Sequence, residues 1–171
     1  MTGIWIENPT AYQQKLELLL GDRDPLEVLA ETPALLARLV DTHTVEQLRR
    51  RPFEGKWTPN EILGHLVDAE WIYGFRIRHV LCDDEPVIHG MDQDHWVARQ
   101  AYNDHEPVEL VDTFSMLRRH NLVVWRLATP EDLERTGLHK ERGPESLGLM
   151  QRMHAGHDLT HLDQLDWYLS A

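Results

Sequence analysis

His157 and His161 stand four residues apart, and on a helix that spacing turns two imidazoles about 40° from each other. The spacing alone says little. With 11 histidines in 171 residues, a His-x-x-x-His pair is expected about 0.7 times by chance. Placement says more: Met150, Met153, His154, Gln164 and Tyr168 fall on the same face, the stripe that a helix turns toward a core. A buried imidazole needs a hydrogen bond or a metal for its nitrogens. His65 lies at the edge of the inward stripe of an earlier helix, one turn before Ala69. Three neutral imidazoles from two facing helices can supply the nitrogen side of an open divalent-metal site, leaving a position for water or substrate. The plain alternative for each is a hydrogen-bonded core histidine. Other metal chemistries fall away. No glutamate is followed three residues later by histidine, as a carboxylate-bridged di-iron bundle requires, and there is no His-Glu-x-x-His motif. Cys82 is the only cysteine, so neither an internal disulfide nor a Cys-based zinc site can form.

Several other residues bear on the chemistry. Asp68 and Glu70 follow His65, and Asp158 adjoins His157, but neighbours along a helix do not face one another, and all three are read as solvated. His154 has the angle of a fourth ligand, although stacking or hydrogen bonding explains it equally well. The connection from Cys82 to Glu106 is longer than a helix–helix link needs and carries His89, Met91, Asp92, His95 and Trp96. It is either the mouth of a pocket over the metal or a surface excursion anchored by Trp96. Asp92 is the candidate catalytic residue among them. Arg76 and Asn121 occupy inward-leaning helix positions, for helix–helix hydrogen bonding or for contact with an anionic substrate. Cys82, at a helix end beside Asp83 and Asp84, is a poor nucleophile.

Four long helical segments must position these groups. The first runs from about Pro9 to Val40 with a break near Gly21 to Pro25. The second opens at Thr58-Pro59-Asn60-Glu61, a capping box with proline at the first helical position. Its inward stripe is Ile62, Leu66, Ala69, Tyr73, Ile77 and Val80. The third follows Pro107, with Leu110, Phe114, Leu117, Asn121, Trp125 and Ala128 in register. The fourth follows Gly143-Pro144 and nearly reaches the C-terminus. Shorter helical turns are expected near His95 to Tyr102 and at Thr129 to Asp132, with no run of alternating β-branched residues. Four amphipathic helices of this kind predict an all-α, single-domain four-helix bundle over residues 1–171.

Composition excludes several function classes. The net charge is −12, with 29 acidic against 17 basic residues, which opposes nucleic-acid binding. The cluster Arg49-Arg50-Arg51 is read as cations closing the last turn of a helix before Pro52. No stretch approaches the ~20 apolar residues of a membrane span, and MTGIWIENP has no leader-like pattern. With one cysteine, a reducing cytoplasm is the expected compartment.

The segment from Trp57 to Glu70, taken with His157 to Leu165, resembles the DinB-like superfamily, closest to the branch of YfiT-type metal-dependent hydrolases. Met91 to Val97 and Arg119 to Leu122 extend the resemblance over nearly the whole chain, in order. It implies an up-down-down-up bundle, a homodimer, and a metal held by His65, His157 and His161, with nickel or zinc expected. Some relatives are S-transferases or isomerases that use a low-molecular-weight thiol. Three readings follow for a small-molecule substrate. One is transfer of a thiol activated at the metal. The second is hydrolysis by metal-activated water, with Asp92, His95 or Glu70 as general base. The third is a non-catalytic metal-binding or stress-response protein, which a closed four-ligand shell would favour.

Overall fold

Local signals set most of the helix starts. In the computed structural model, which describes residues 9–170, Asp24 caps α2 (Pro25–Thr42) through a 2.7 Å hydrogen bond from the Leu26 amide. The reading of residues 1–8 as free of a leader lies outside the described residues. Thr58 and Glu61 form the reciprocal capping box of α4 (Pro59–Cys82), and Thr129 and Asp132 that of the short α7 (Pro130–Leu133). The remaining helices are α1 (Pro9–Leu20), α3 (Val45–Arg49), α5 (Gln93–Gln100), α6 (Pro107–Leu127) and α8 (Leu147–Ser170), with a 3-10 turn at Tyr102–Asp104. The break after Leu20 turns at Gly21, whose φ is 58°.

The four long helices α2, α4, α6 and α8 make the bundle. Both α2 and α4 pack on α6 and α8 rather than on each other, so the connections from α2 to α4 and from α6 to α8 cross the bundle diagonally. α1 lies along α8. The core has two apolar halves. One gathers Leu36, Val40, Ile62, Leu66, Phe114 and Leu165; the other gathers Leu29, Ile77, Val80, Leu122, Trp125 and Met150. Between them lies a polar waist, formed where the stripes of α4, α6 and α8 pass through Glu70, Arg118 and Asp158.

Two close approaches fix the helices that carry the histidines. A Cβ on Gly64 would stand 2.1 Å from Cγ of Tyr102, and one on Gly156 would stand 2.5 Å from the Leu16 carbonyl oxygen. The residues just before His65 and His157 are therefore where α4 meets the Tyr102 ring and α8 meets the backbone of α1.

The expected start of the last helix at Gly143-Pro144 needs correction. Gly143–Ser146 is a strand, β3, and α8 begins at Leu147. β3 pairs antiparallel with β2 (Thr136–His139), which pairs parallel with β1 (Val87–Ile88). Strands of two to four residues, with a glycine in β2 and Gly-Pro in β3, carry no readable alternation. This small sheet brings residues 89–91 and the 140–142 turn against one end of the bundle. None of the helices among the described residues is long and apolar enough to cross a membrane.

Candidate metal centre

His65 projects from α4, and His157 and His161 project from successive turns of α8. Their exposures are 1%, 7% and 9%, and one ring nitrogen from each lies within 4.8 Å of those of the others. The Nε2 atoms of His65 and His157 are 3.0 Å apart, near the ~3.3 Å edge of a tetrahedral nitrogen set around a zinc-sized ion. One proton or one cation must lie between them. His161 places Nδ1 3.0 Å from Oε1 of Gln164, and Nε2 of Gln164 donates in turn to the Tyr168 hydroxyl. That contact fixes the His161 tautomer and leaves its Nε2 lone pair for a ligand. Nδ1 of His65 and of His157 is buried without a hydrogen-bond partner. Among the described residues this is the one group of three or more potential ligands. The donor set fits a divalent ion.

Burial keeps all three rings neutral. It pushes His65 well below the ordinary histidine range, with His161 adding to the effect. It does the same to His157, helped by His161 and His65, and it takes His161 down to about 4. Neutral imidazoles are the form that binds metals. The sign of the resulting pH dependence follows. In the unfolded chain these histidines titrate near 6.5, so acid protonates that state first and favours it. The metal-free protein is fully stable above about pH 6.5 and loses stability as pH falls, His161 alone contributing about 3 kcal/mol by pH 4. Urea titrations of chelator-treated protein between pH 7 and pH 4 check this. A flat profile contradicts it.

Behind the histidines, the polar waist corrects the reading of three acids as solvated. Asp68, Glu70 and Asp158 are 3%, 1% and 1% exposed. Arg118, itself fully buried, donates to both oxygens of Asp158 at 2.6 and 3.0 Å, to Oε1 of Glu70 at 2.6 Å, and to the Leu29 carbonyl. Asn121 adds an Nδ2 bond to Glu70. Burial alone would raise the Glu70 carboxyl; His154 and Arg118 outweigh it and hold Glu70 at about 2. One guanidinium thus ties α6 to α2, α4 and α8. Asp68 accepts from Tyr102 Oη and Gln100 Nε2, which secures the turn after α5.

His154 stands outside the ligand group. Its Nε2 is 2.6 Å from Glu70 and its ring stacks on Tyr73 at 4.0 Å. Asp92 caps α5 by accepting from the His95 amide, and both side chains are exposed and off the cavity wall. Cys82 is exposed at the end of α4. Arg118 was missed in the sequence, although it continues the inward stripe from Phe114 to Asn121 and Trp125.

The histidines open onto a cavity of about 740 Å³. Trp57, Ile72, Tyr73, Met91 and Met153 form its apolar walls, and Asp94, Glu141, Asp163, Lys15, Lys56, Arg76 and Arg142 are its charged groups. Three imidazoles at the wall of a space this size leave coordination positions accessible to a small molecule.

Residues 29–165 match the sequence model of the DinB superfamily. The chain belongs to the DinB superfamily. Among its members, a relative from Oceanobacillus iheyensis is 29% identical over 81% of this chain and 84% of its own length. A second, from Bacillus subtilis, is 24% identical over 96% of both chains. Their names are "Putative metal-dependent hydrolase" and "Putative metal-dependent hydrolase YfiT". The solved structure of the Bacillus subtilis YfiT superposes with a TM-score of 0.74 at 23% identity, covering 85% of this chain and 86% of that one. It is described as a probable metal-dependent hydrolase with an unusual four-helix bundle topology.

Proposed function

We propose that this DinB-superfamily chain is a metal-dependent thiol S-transferase, holding one divalent ion, zinc or nickel, on His65, His157 and His161. The observation that carries this reading is the contrast between the imidazoles, which open onto the cavity, and the Glu70 carboxylate, which is sequestered in the waist. Glu70, a general-base candidate five residues after His65, is locked by His154 and Arg118 and held at about 2, while Asp92 and His95 lie off the cavity. A reaction that needs no protein base suits such a site. A bound divalent ion supplies Lewis acidity, lowering the pKa of a thiol that reaches it. The chain supplies the rest. His161 is oriented by Gln164, the apolar wall excludes water around the sulfur, and the open mouth lets the thiol proton leave with the displaced group. The sulfur forms its new bond to the electrophile's carbon as the leaving group departs.

A second reading, metal-dependent hydrolysis, is favoured by the names of the relatives. It needs a base from the cavity wall, where Asp94, Glu141 and Asp163 are the carboxylates. Assays of the zinc- or nickel-loaded protein on an alkyl halide and an aryl ester, with and without cysteine, glutathione and mercaptoethanol, separate the two. Turnover that requires both metal and thiol supports transfer. Turnover that requires metal but no thiol replaces it with hydrolysis.

A further inference from the structure

The far end of the cavity holds a buried cation that makes no contact ion pair among the described residues. Arg76 lies on α4 eleven residues after His65, about 16 Å along the helix axis, and its side chain leans back toward the histidines. It is 8% exposed and lines the cavity. A guanidinium has five N–H donors, and Arg76 gives one to the His89 carbonyl at 2.7 Å while resting over the Tyr73 ring at 5.9 Å. No carboxylate lies within 4.0 Å of it among the described residues. The neighbouring Arg142 differs, being paired with Glu145, which also accepts from Gln13. A buried arginine without a counter-ion is costly, and the waist shows how this chain treats one that serves the fold: Arg118 has two carboxylates.

We propose that Arg76 anchors a carboxylate at one end of an elongated, largely apolar substrate whose other end reaches the histidine centre. The second clause rests on the metal reading above; the first does not. Ile72, Tyr73, Met91 and Met153 give the intervening wall its apolar character. The planar fork matches a planar carboxylate. Glu141 lines the same space and Glu145 also acts on Arg76, so a doubly charged phosphate meets about twice the repulsion from these carboxylates that a single negative charge does. Lys15, exposed on α1 at the cavity wall, adds a further positive charge toward an incoming anion.

Calorimetric titration of the zinc-loaded full chain with mercaptooctanoate, mercaptooctanol and mercaptooctyl phosphate tests the assignment. The wild type is expected to bind the carboxylate about tenfold or more tighter than the alcohol, with the phosphate weaker than the carboxylate. Arg76→Met is expected to abolish that preference while leaving the alcohol's affinity and the bound zinc unchanged, and Arg76→Lys to restore part of it. An equal preference in wild type and Arg76→Met overturns the proposal, as does a phosphate bound more tightly than the carboxylate, or no binding of the carboxylate by the wild type. Should Arg76→Met fail to fold, as a melting curve shows, the wild-type ratios and Arg76→Lys still decide. Zinc removal by chelator separates the two claims. If it leaves every affinity unchanged, the thiol does not reach a metal, and Arg76 is judged on its carboxylate preference alone.

Discussion

Arg118→Met is expected to lower the unfolding free energy by about 3–5 kcal/mol, against the 5–15 kcal/mol that holds a typical domain together. The reason is the charge left behind. Glu70 and Asp158 are each 1% exposed, and both accept short hydrogen bonds from this one guanidinium. Methionine fills much of the volume and supplies no donors, so Asp158 loses its counter-ion, Glu70 is left with Asn121 and His154, and the buried carboxylates must stay ionised without the guanidinium or take up protons. Measured against the wild type at the same pH, the variant's deficit should shrink as pH falls from 7 toward 4, because Glu70 keeps only His154 and Asn121 to hold its charge and protonation relieves its burial. Adding Glu70→Gln and Asp158→Asn to Arg118→Met removes the stranded charges and should recover part of the loss. Urea denaturation of the single and triple variants measures all of this. A single-variant loss below about 1 kcal/mol would mean that the waist contributes little to the fold.

His65→Ala and His157→Ala are each expected to weaken zinc or nickel binding by about two to three orders of magnitude, one nitrogen ligand's share of a tight site. Metal content after dialysis should fall from about one ion per chain to near zero. The wild type should also lose melting temperature on chelation, by the equivalent of about 4 kcal/mol where free ion stood a thousandfold above Kd, and the two variants should not. His154→Ala is the control. It lies outside the ligand group and bonds Glu70, so it should lose stability and keep its metal. Metal content unchanged in both His65→Ala and His157→Ala sinks the site.

Much of the bundle was legible because its signals are local. Thr58 and Glu61, or Thr129 and Asp132, satisfy one another's backbone within four residues, so a capping box is readable without knowing the fold. The inward placement of His157 and His161 followed from periodicity in the same way. The polar waist was not legible. Nothing near Glu70 or Asp158 in sequence announces burial, because the partner that makes it tolerable lies 48 and 40 residues away on α6. A charged residue on an inward stripe is the available clue, and the register through Leu117 passed over Arg118 beside it. The sheet escaped for a different reason: β1 has two residues, and its pairing with Leu138 and His139 is a tertiary fact. Asp92 sat in the right connection, but its carboxylate serves the amide of His95.

The three clustered histidines are unequally distributed along the chain. His157 and His161 share one helix, whereas His65 is 92 residues from His157. A half-folded chain in which α8 alone has formed already offers the i, i+4 pair, so an ion can lodge there before α4 docks. The unfolded ensemble then competes for metal, and the stabilisation gained on loading is smaller than the full three-ligand affinity implies. It also gives assembly an order. An ion held by α8 would become the point on which α4 closes, with Gly64 and Gly156 letting Tyr102 and α1 seat beside it. Refolding in the presence of metal would then begin at the C-terminal end of the chain.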